Sequence, residues 1–417
     1  MRLIKTLSDL RQCKRGNALI VVAATAPLLI AASAIGLDTI QVTLAKRQLQ
    51  RSADSAAMAG AYALMQNQTT SAAEAAVDRD LTLNNLMVLS APRVVQHAPQ
   101  TGPFTGDPRA VRVVLSAQRS VPFISFFTKS SMDIRVEATA AAVPTGNYCV
   151  VSLENTAATG ITFSGNATVN LGCGVATNST GSSAISFNGG PSVTASPVAA
   201  RGGVPAASNF LGNTTVIPNA PAQPDPFAHL PNPDISTMNC VNANTSGPTL
   251  SPGCYNGLDF KDKDLITLSP GTYYVNGGEL SFGSQANVTA NGVTFVLTSK
   301  NAVSNPASIA SLKMNGGADV RLTAPTTGPY PGLIIYQDRR APNDSPHING
   351  GSNASFDGAI YLPSQDVTFN GNSGLDVVCL RLVTLRVKFS GTTDLINNCP
   401  ANHPSRGFSG LAVRLVN

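Results

Sequence analysis

Phe163-Ser164-Gly165-Asn166-Ala167-Thr168-Val169-Asn170-Leu171 decides how this chain is read. An apolar residue is followed two places on by glycine, then by apolar residues six and eight places on. The same spacing returns at Met314-Gly316-Val320-Leu322 and Phe369-Gly371-Leu375-Val377, and more loosely from Phe187, Phe282, Ile348 and Phe389. Most successive starts lie about 20 to 35 residues apart, the period of a unit that cannot bury its apolar face alone and must stack on its neighbours. Within the copies run short strand-like stretches such as Val288-Thr289-Ala290, apolar and polar in alternation. Asn-Gly steps at Asn188-Gly189, Asn291-Gly292, Asn315-Gly316, Asn349-Gly350 and Asn370-Gly371 supply tight corners. The expectation for residues 145–417 is a β-solenoid of the parallel β-helix kind, with a sandwich of similar short strands as the rival. The asparagines at the second position of the copies read as corner hydrogen-bonding groups.

Nine prolines between Pro191 and Pro233 interrupt the pattern. The stretch near 191–235 reads as a long insertion or linker between earlier and later coils; a polyproline recognition arm is the alternative. The closing run Gly410-Leu411-Ala412-Val413-Arg414-Leu415-Val416 alternates and reads as a last strand capping the stack.

Cysteine placement follows the repeat. Cys13 stands alone near the start, and Cys149, Cys173, Cys240, Cys254, Cys379 and Cys399 form an even set, as in an oxidising compartment. Cys173, Cys379 and Cys399 each follow a repeat start by the same ten-residue offset, and Cys149 precedes Cys173 by one coil length. Residues one coil apart sit about 4.8 Å from each other, within the roughly 4.4–6.8 Å Cα separation of a disulfide. Cys149–Cys173 and Cys379–Cys399 are therefore expected to staple neighbouring coils at the two ends of the stack, leaving Cys240–Cys254 to close a loop. A metal site is the rival, but no histidine stands at ligand spacing from these cysteines.

Composition sets the compartment. The chain has 417 residues, no tryptophan and only 12% charged residues, which suits a β-rich protein outside the cytoplasm. Its net charge of +5 comes from Arg2, Lys5, Arg11, Lys14 and Arg15; the remainder is balanced, without the basic clustering of a nucleic-acid partner. Ala18 to Leu37 carries no charge and, as a helix, spans roughly 30 Å, one hydrocarbon core. The basic residues before it place 1–15 in the cytoplasm and the bulk outside. A cleaved signal peptide is the competing account, since Ala32-Ser33-Ala34 fits a cleavage site. Helical spacing continues beyond Asp38, and Ala53, Ala56, Ala57 and Gly60 form a small-residue face that admits another helix at close range.

The segments Lys14-Arg15-Gly16-Asn17-Ala18, Ile35-Gly36-Leu37-Asp38 and Leu44-Ala45-Lys46-Arg47-Gln48-Leu49-Gln50-Arg51-Ser52-Ala53-Asp54-Ser55-Ala56-Ala57-Met58-Ala59-Gly60-Ala61 resemble the N-terminal domain of TadG-like proteins, a family associated with assembly of Flp, or tight-adherence, pili. Val111-Arg112-Val113-Val114-Leu115, Phe123-Ile124-Ser125-Phe126-Phe127 and Ile134-Arg135-Val136-Glu137-Ala138-Thr139-Ala140 resemble the strand, short apolar helix and Ala-rich strand that follow. The resemblance covers about residues 10–143. It implies an inner-membrane partner surface for other pilus-assembly or pseudopilin helices. Two departures limit it: Val21 stands where a processed pseudopilin has glutamate, so cleavage after Gly16 is not expected, and the Asp-x-Ser-x-Ser metal motif of some members is absent from the sequence.

The reading is thus a mainly β protein with an N-terminal transmembrane α-helix. Its parts are a basic segment over 1–15, a membrane-crossing and continuing helix over 16–66, a small α+β membrane-proximal module over 67–144, and the solenoid. No cofactor, metal or catalytic residue is expected. Asp262-Lys263-Asp264 reads as a solvated turn, and Asp338-Arg339-Arg340 with Asp344 and His347 as a loop ion-pair cluster rather than the paired carboxylates of a polysaccharide-active enzyme. The resemblance implies a membrane-anchored, non-enzymatic component or scaffold of Flp/Tad-type pilus assembly; a surface adhesin or minor pilus subunit binding glycan or matrix is the second functional reading, and a polysaccharide-active β-helix enzyme the third.

Overall fold

The computed structural model describes residues 16–66, 68–84, 87–102, 104–123, 129, 131–206, 208–350, 354–371, 376–391, 394–397, 399 and 407–416. The basic segment 1–15, with Cys13, and the apolar residues 124–127 lie outside them. Strand predominates, at 42%, and the chain divides into two units, Met1–Val143 with Val413–Asn417, and Pro144–Ala412.

The first unit is built on one helix, α1 (Gly16–Met65), which contains Pro27. It is long and apolar enough to cross a membrane, and Val21, Leu28, Leu29, Ile30 and Ile35 are exposed. Past Asp38 the helix acquires a buried side: Ala45, Leu49, Ala53, Ala56, Ala57 and Ala61 pack with Val77, Val111, Leu115, Ile134 and Val136. Val77 comes from α2 (Thr70–Asn84), whose start is capped by Thr69, its hydroxyl accepting from the Ala72 N–H at 3.2 Å. The other partners come from antiparallel strands Ala110–Arg119 and Met132–Ser152, paired with Leu115 opposite Val136. Val94–His97 adds a third strand.

The Ala/Gly face is therefore occupied within this chain. A Cβ on Gly60 would lie 2.9 Å from Val77 Cγ2 and 3.1 Å from Val111 Cγ1, so only glycine lets α1 and α2 approach this closely. The expectation that Ala53, Ala56, Ala57 and Gly60 await another protein's helix is corrected: small side chains suit close approach by any element, and here the module's own helix and sheet supply it.

The second unit is organised by three runs of parallel pairing. In the first run all seven starts of the sequence pattern fall in one column. In pairing order it reads Phe260, Phe282, Met314, Ile348, Phe369, Phe389, Phe163, Phe187. Aromatic rings stack along it, at centroid separations of 5.4 Å for Phe260–Phe282 and 5.6 Å for Phe163–Phe187. The second run carries Leu250, Leu268, Ala290, Leu322 and Phe356 in register. The third carries Cys240, Cys254, Tyr274, Val296, Tyr336, Tyr361, Val383, Val151, Ala176, Ala199 and Ile217. Phe260 is a copy that the sequence pattern missed, because Asp262 stands where the other copies have a small residue; Ile266 and Leu268 keep the six and eight spacing.

The order of rungs is not the order of the sequence. Residues 148–217 form one block and 240–397 another, and the late strand Asp376–Gly391 pairs with the early strands Met132–Ser152 and Ile161–Gly165. This seam lies in the middle of the ladders. The stretch read as an insertion near 191–235 is corrected accordingly. Strands Ser192–Thr194, Val198–Ala200 and Val216–Ile217 continue the ladders, and only the following proline-rich residues, 218–239, leave them to connect one terminal rung with the other.

The disulfides take their places from this order. Cys149–Cys173, Cys240–Cys254 and Cys379–Cys399 are joined, with Cα separations of 5.8, 4.4 and 4.4 Å. Cys240 and Cys254 are register partners on the outermost rungs of the third ladder, so this bridge staples an end. The other two flank the seam, where Asn397 Nδ2 lies 3.4 Å from Cys149 Sγ. Their expected place at the two ends is thus corrected; it assumed that coils stack in sequence order. The closing run does not cap the ladders as expected, because residues from Val413 onward group with the first unit, where the Val416 N–H donates to Thr139 O at 2.8 Å.

Candidate functional site

Three places carry arrangements beyond packing. In the first unit, Asp38 ends the uncharged stretch of α1 and is fully buried; its Oδ2 accepts from the Phe123 N–H at 3.1 Å. Burying a carboxylate is costly without donors, so this contact fixes the segment entering Phe123 against the helix where its apolar stretch stops. The free side of α1 lies elsewhere. Leu37, Ile40, Leu44, Met58 and Tyr62 are exposed and fall at helical spacing along one stripe. Beside it a groove of about 440 Å³ is lined by Gln41, Leu44, Gln48, Met87, Val88 and Arg119.

In the second unit, the seam is joined by charge as well as by backbone. Glu154 is buried, and its Oε2 accepts from Arg386 Nε at 2.5 Å, while Arg386 Nη1 donates to Asp366 Oδ2 at 3.0 Å. Burial works to raise the Glu154 carboxyl, but hydrogen bonds from Thr156 and Arg386 outweigh it and hold it below the ordinary glutamate value. The Ser152 hydroxyl donates to Leu385 O at 2.7 Å and the Ser164 hydroxyl to Phe389 O at 3.2 Å. A joint between sequence-distant strands is thereby satisfied on several sides.

The third arrangement is the cluster singled out in the sequence around Asp338. Asp338 is fully buried. Its Oδ2 accepts from the Thr298 hydroxyl at 2.9 Å and from Arg340 Nη2 at 2.6 Å, so it orients an arginine and is closed to a substrate. Arg340 in turn donates to Pro233 O at 2.9 Å. Arg339 donates to Leu230 O at 2.7 Å and to Phe227 O, and its guanidinium lies over the rings of Tyr336 and Tyr361. The Tyr361 hydroxyl donates to Asp225 Oδ2 at 2.7 Å; burial pushes this phenol far above its usual range, which keeps it a donor. The two arginines and two tyrosines clamp the returning proline-rich segment.

Asp344 and His347 are exposed, and among the described residues no hydrogen bond joins either to Asp338. Asp262-Lys263-Asp264 is an exposed stretch. Among the described residues no three His, Cys, Asp or Glu side chains are grouped to hold a metal ion. Asparagine contacts do run between rungs: Asn370 Nδ2 donates to Asn349 Oδ1 at 2.9 Å, and Asn276 Nδ2 to Asn256 Oδ1 at 2.9 Å. Sequence reasoning missed the roles of Glu154, Arg386 and Tyr361. A lone glutamate and a lone arginine at opposite ends of a repeat give no local signal of their meeting.

No curated protein and no solved structure matches this chain. Over residues 16–66, which comprise α1 and one residue beyond it, the chain matches the family model described as Tad, putative Flp pilus-assembly TadE/G-like.

Proposed function

We propose that this chain is a membrane-anchored, non-enzymatic component of a Flp/Tad-type pilus-assembly apparatus. Residues 1–15 lie in the cytoplasm, α1 crosses the inner membrane, and the rest lies in the periplasm or outside the cell. The observation that carries the reading is the family match coinciding with the one helix, among the described residues, that is apolar and long enough to span a bilayer. We read the three parallel ladders as a β-solenoid with its coils out of sequence order. The aligned apolar columns support this, since such a stack buries in common what no coil buries alone. The reading assigns two working surfaces. The Leu37–Ile40–Leu44 stripe and its groove meet helices of other membrane components, and the rigid outer face of the coils meets the filament or its surroundings.

The experiment is the intact mass of the protein recovered separately from membranes and from sheared filaments. A full-length species confined to membranes is expected. A species shortened after Gly16 and found in filaments would overturn the assembly role and make the chain a pilus subunit.

A further inference from the structure

The proline-rich connection is held in an unusual way. Among the described residues, the backbone–backbone hydrogen bonds made from Gln223 to Asn239 stay within the segment, Ala228 to Asp225, Leu230 to Phe227 and Met238 to Ile235. Its Gln223 exchanges two hydrogen bonds with the Asn178 amide and its Phe227 ring is buried with Tyr336 and Tyr361; the rest of its attachment to the third ladder is a set of side-chain donors. Arg339 reaches the carbonyls of Phe227 and Leu230, Tyr336 that of Pro231, and Arg340 that of Pro233. Tyr336 and Tyr361 stand on the ladder and Arg339 and Arg340 in the turn after Leu333–Gln337, and all but one of the acceptors that these four reach on the segment are main-chain oxygens. Prolines 224, 226, 231 and 233 lack N–H groups, so the segment cannot join the ladder as a strand. It presents carbonyls instead. Two side chains add specificity: Asp225 accepts from Tyr361, and the Phe227 ring meets the Tyr361 ring edge-on at 5.2 Å.

We propose that the Tyr336–Arg339–Arg340–Tyr361 surface is a peptide-recognition groove, occupied in this state by the chain's own residues 225–233. Its ligand is a proline-rich segment with an Asp-Pro-aromatic lead, and such a segment on a neighbouring protein competes for it. The recognition chemistry is generic to that class. Aromatic faces lie beside a run of donors, and among the described residues the Leu230, Pro231 and Pro233 carbonyls take no backbone donor, which leaves them for the side chains. A tether confers an effective concentration in the millimolar range, so a competitor succeeds only when it is itself concentrated or multivalent, as in a repeating assembly. This inference does not depend on the pilus reading, because every contact used lies within residues 225–361.

The probe is a fluorescent synthetic peptide of residues 223–234, titrated against the full chain in detergent with its disulfides intact. Against an Asp225→Ala/Phe227→Ala variant, whose own segment is weakened, the peptide is expected to bind at least tenfold tighter than to the unsubstituted chain. Adding Arg339→Lys, which keeps the charge and loses the planar fork, is expected to reduce binding at least tenfold. Absence of binding to a variant that retains the native unfolding transition overturns the proposal, as does equal binding by the Arg339→Lys chain. If the variant fails to fold, hydrogen exchange of the unsubstituted chain decides. Amides of residues 227–238 should exchange at least a hundredfold faster than those of Val296 and Val383, and equal protection would sink the idea of an exchangeable occupant.

Discussion

Phe389 stands in parallel register with Phe163, their rings stacked with centroids 5.3 Å apart. The last long strand of the second unit thus closes against one of its first, and the joint is packed like any other rung. Phe163→Ala or Phe389→Ala should each destabilise this unit by about 3–5 kcal/mol through the cavity left behind. In a double-mutant cycle measured by denaturant unfolding the two should couple by about 0.5–1.5 kcal/mol. Strict additivity would show that the rings do not act together.

The Glu154–Arg386 contact makes the seam sensitive to acid. Glu154 is held below its unfolded value, near 4.3, so its contribution is fully present above that pH. It is lost as pH falls through the lower folded value. The thermal midpoint of the unsubstituted chain should therefore drop more steeply between about pH 5 and pH 3 than that of Glu154→Gln. Parallel pH profiles would show that the carboxylate contributes nothing specific.

Removing Cys240–Cys254 and removing Cys379–Cys399 should have different effects. Each bridge contributes on the order of 2–4 kcal/mol, but the first holds an end rung and the second a rung beside the seam. Serine replacement of the first pair should raise hydrogen exchange locally, around residues 240–260. Replacement of the second should raise it on both sides of the seam, including Val150 and Val151. The check is peptide-resolved exchange of the two variants side by side.

Gly60→Leu should disrupt the first unit by about 1–3 kcal/mol or more, since even a Cβ meets Val77 and Val111. Leu44→Ser lies on the exposed stripe and should leave stability within about 0.5 kcal/mol. On the proposed function it should nevertheless weaken cross-linking of α1 to other membrane-anchored pilus-assembly components. Comparable loss of stability in both would mean that the stripe is not free.

Membership of the first ladder was legible in the sequence because each rung repeats the same local demand, an apolar residue facing inward and a corner two places on. The order of rungs was not. Phe163, Phe369 and Phe389 are interchangeable as local signals, and which of them meet is settled by non-local pairing. Cysteine spacing led to the pairs that the structure contains, since one coil length is a local quantity; where they sit depended on the order. Phe260 was hidden by Asp262, a polar residue at a corner where glycine is customary but not required. The alanine face of α1 was readable as a packing face, whereas its partners, Val77 and Val111, lie in separate later elements. The candidate cluster at Asp338 was visible as charge beside a strand, but its use as a clamp required the carbonyls of Phe227, Leu230 and Pro233, which no side-chain pattern announces.

A chain is made from its N-terminus, and the block 148–217 is complete long before residues 376–397 exist. At about 5–20 residues per second the gap amounts to roughly 10–40 s. Throughout that interval the inner rung, Val151 with Phe163 and Val169, presents an unpaired parallel edge whose proper partner has yet to be synthesised. Such an edge is a template for any passing strand. Biogenesis of this protein therefore has a vulnerable waiting period built into its topology. The edge at Ile161–Gly165 is covered only when the strand Asp376–Gly391 arrives.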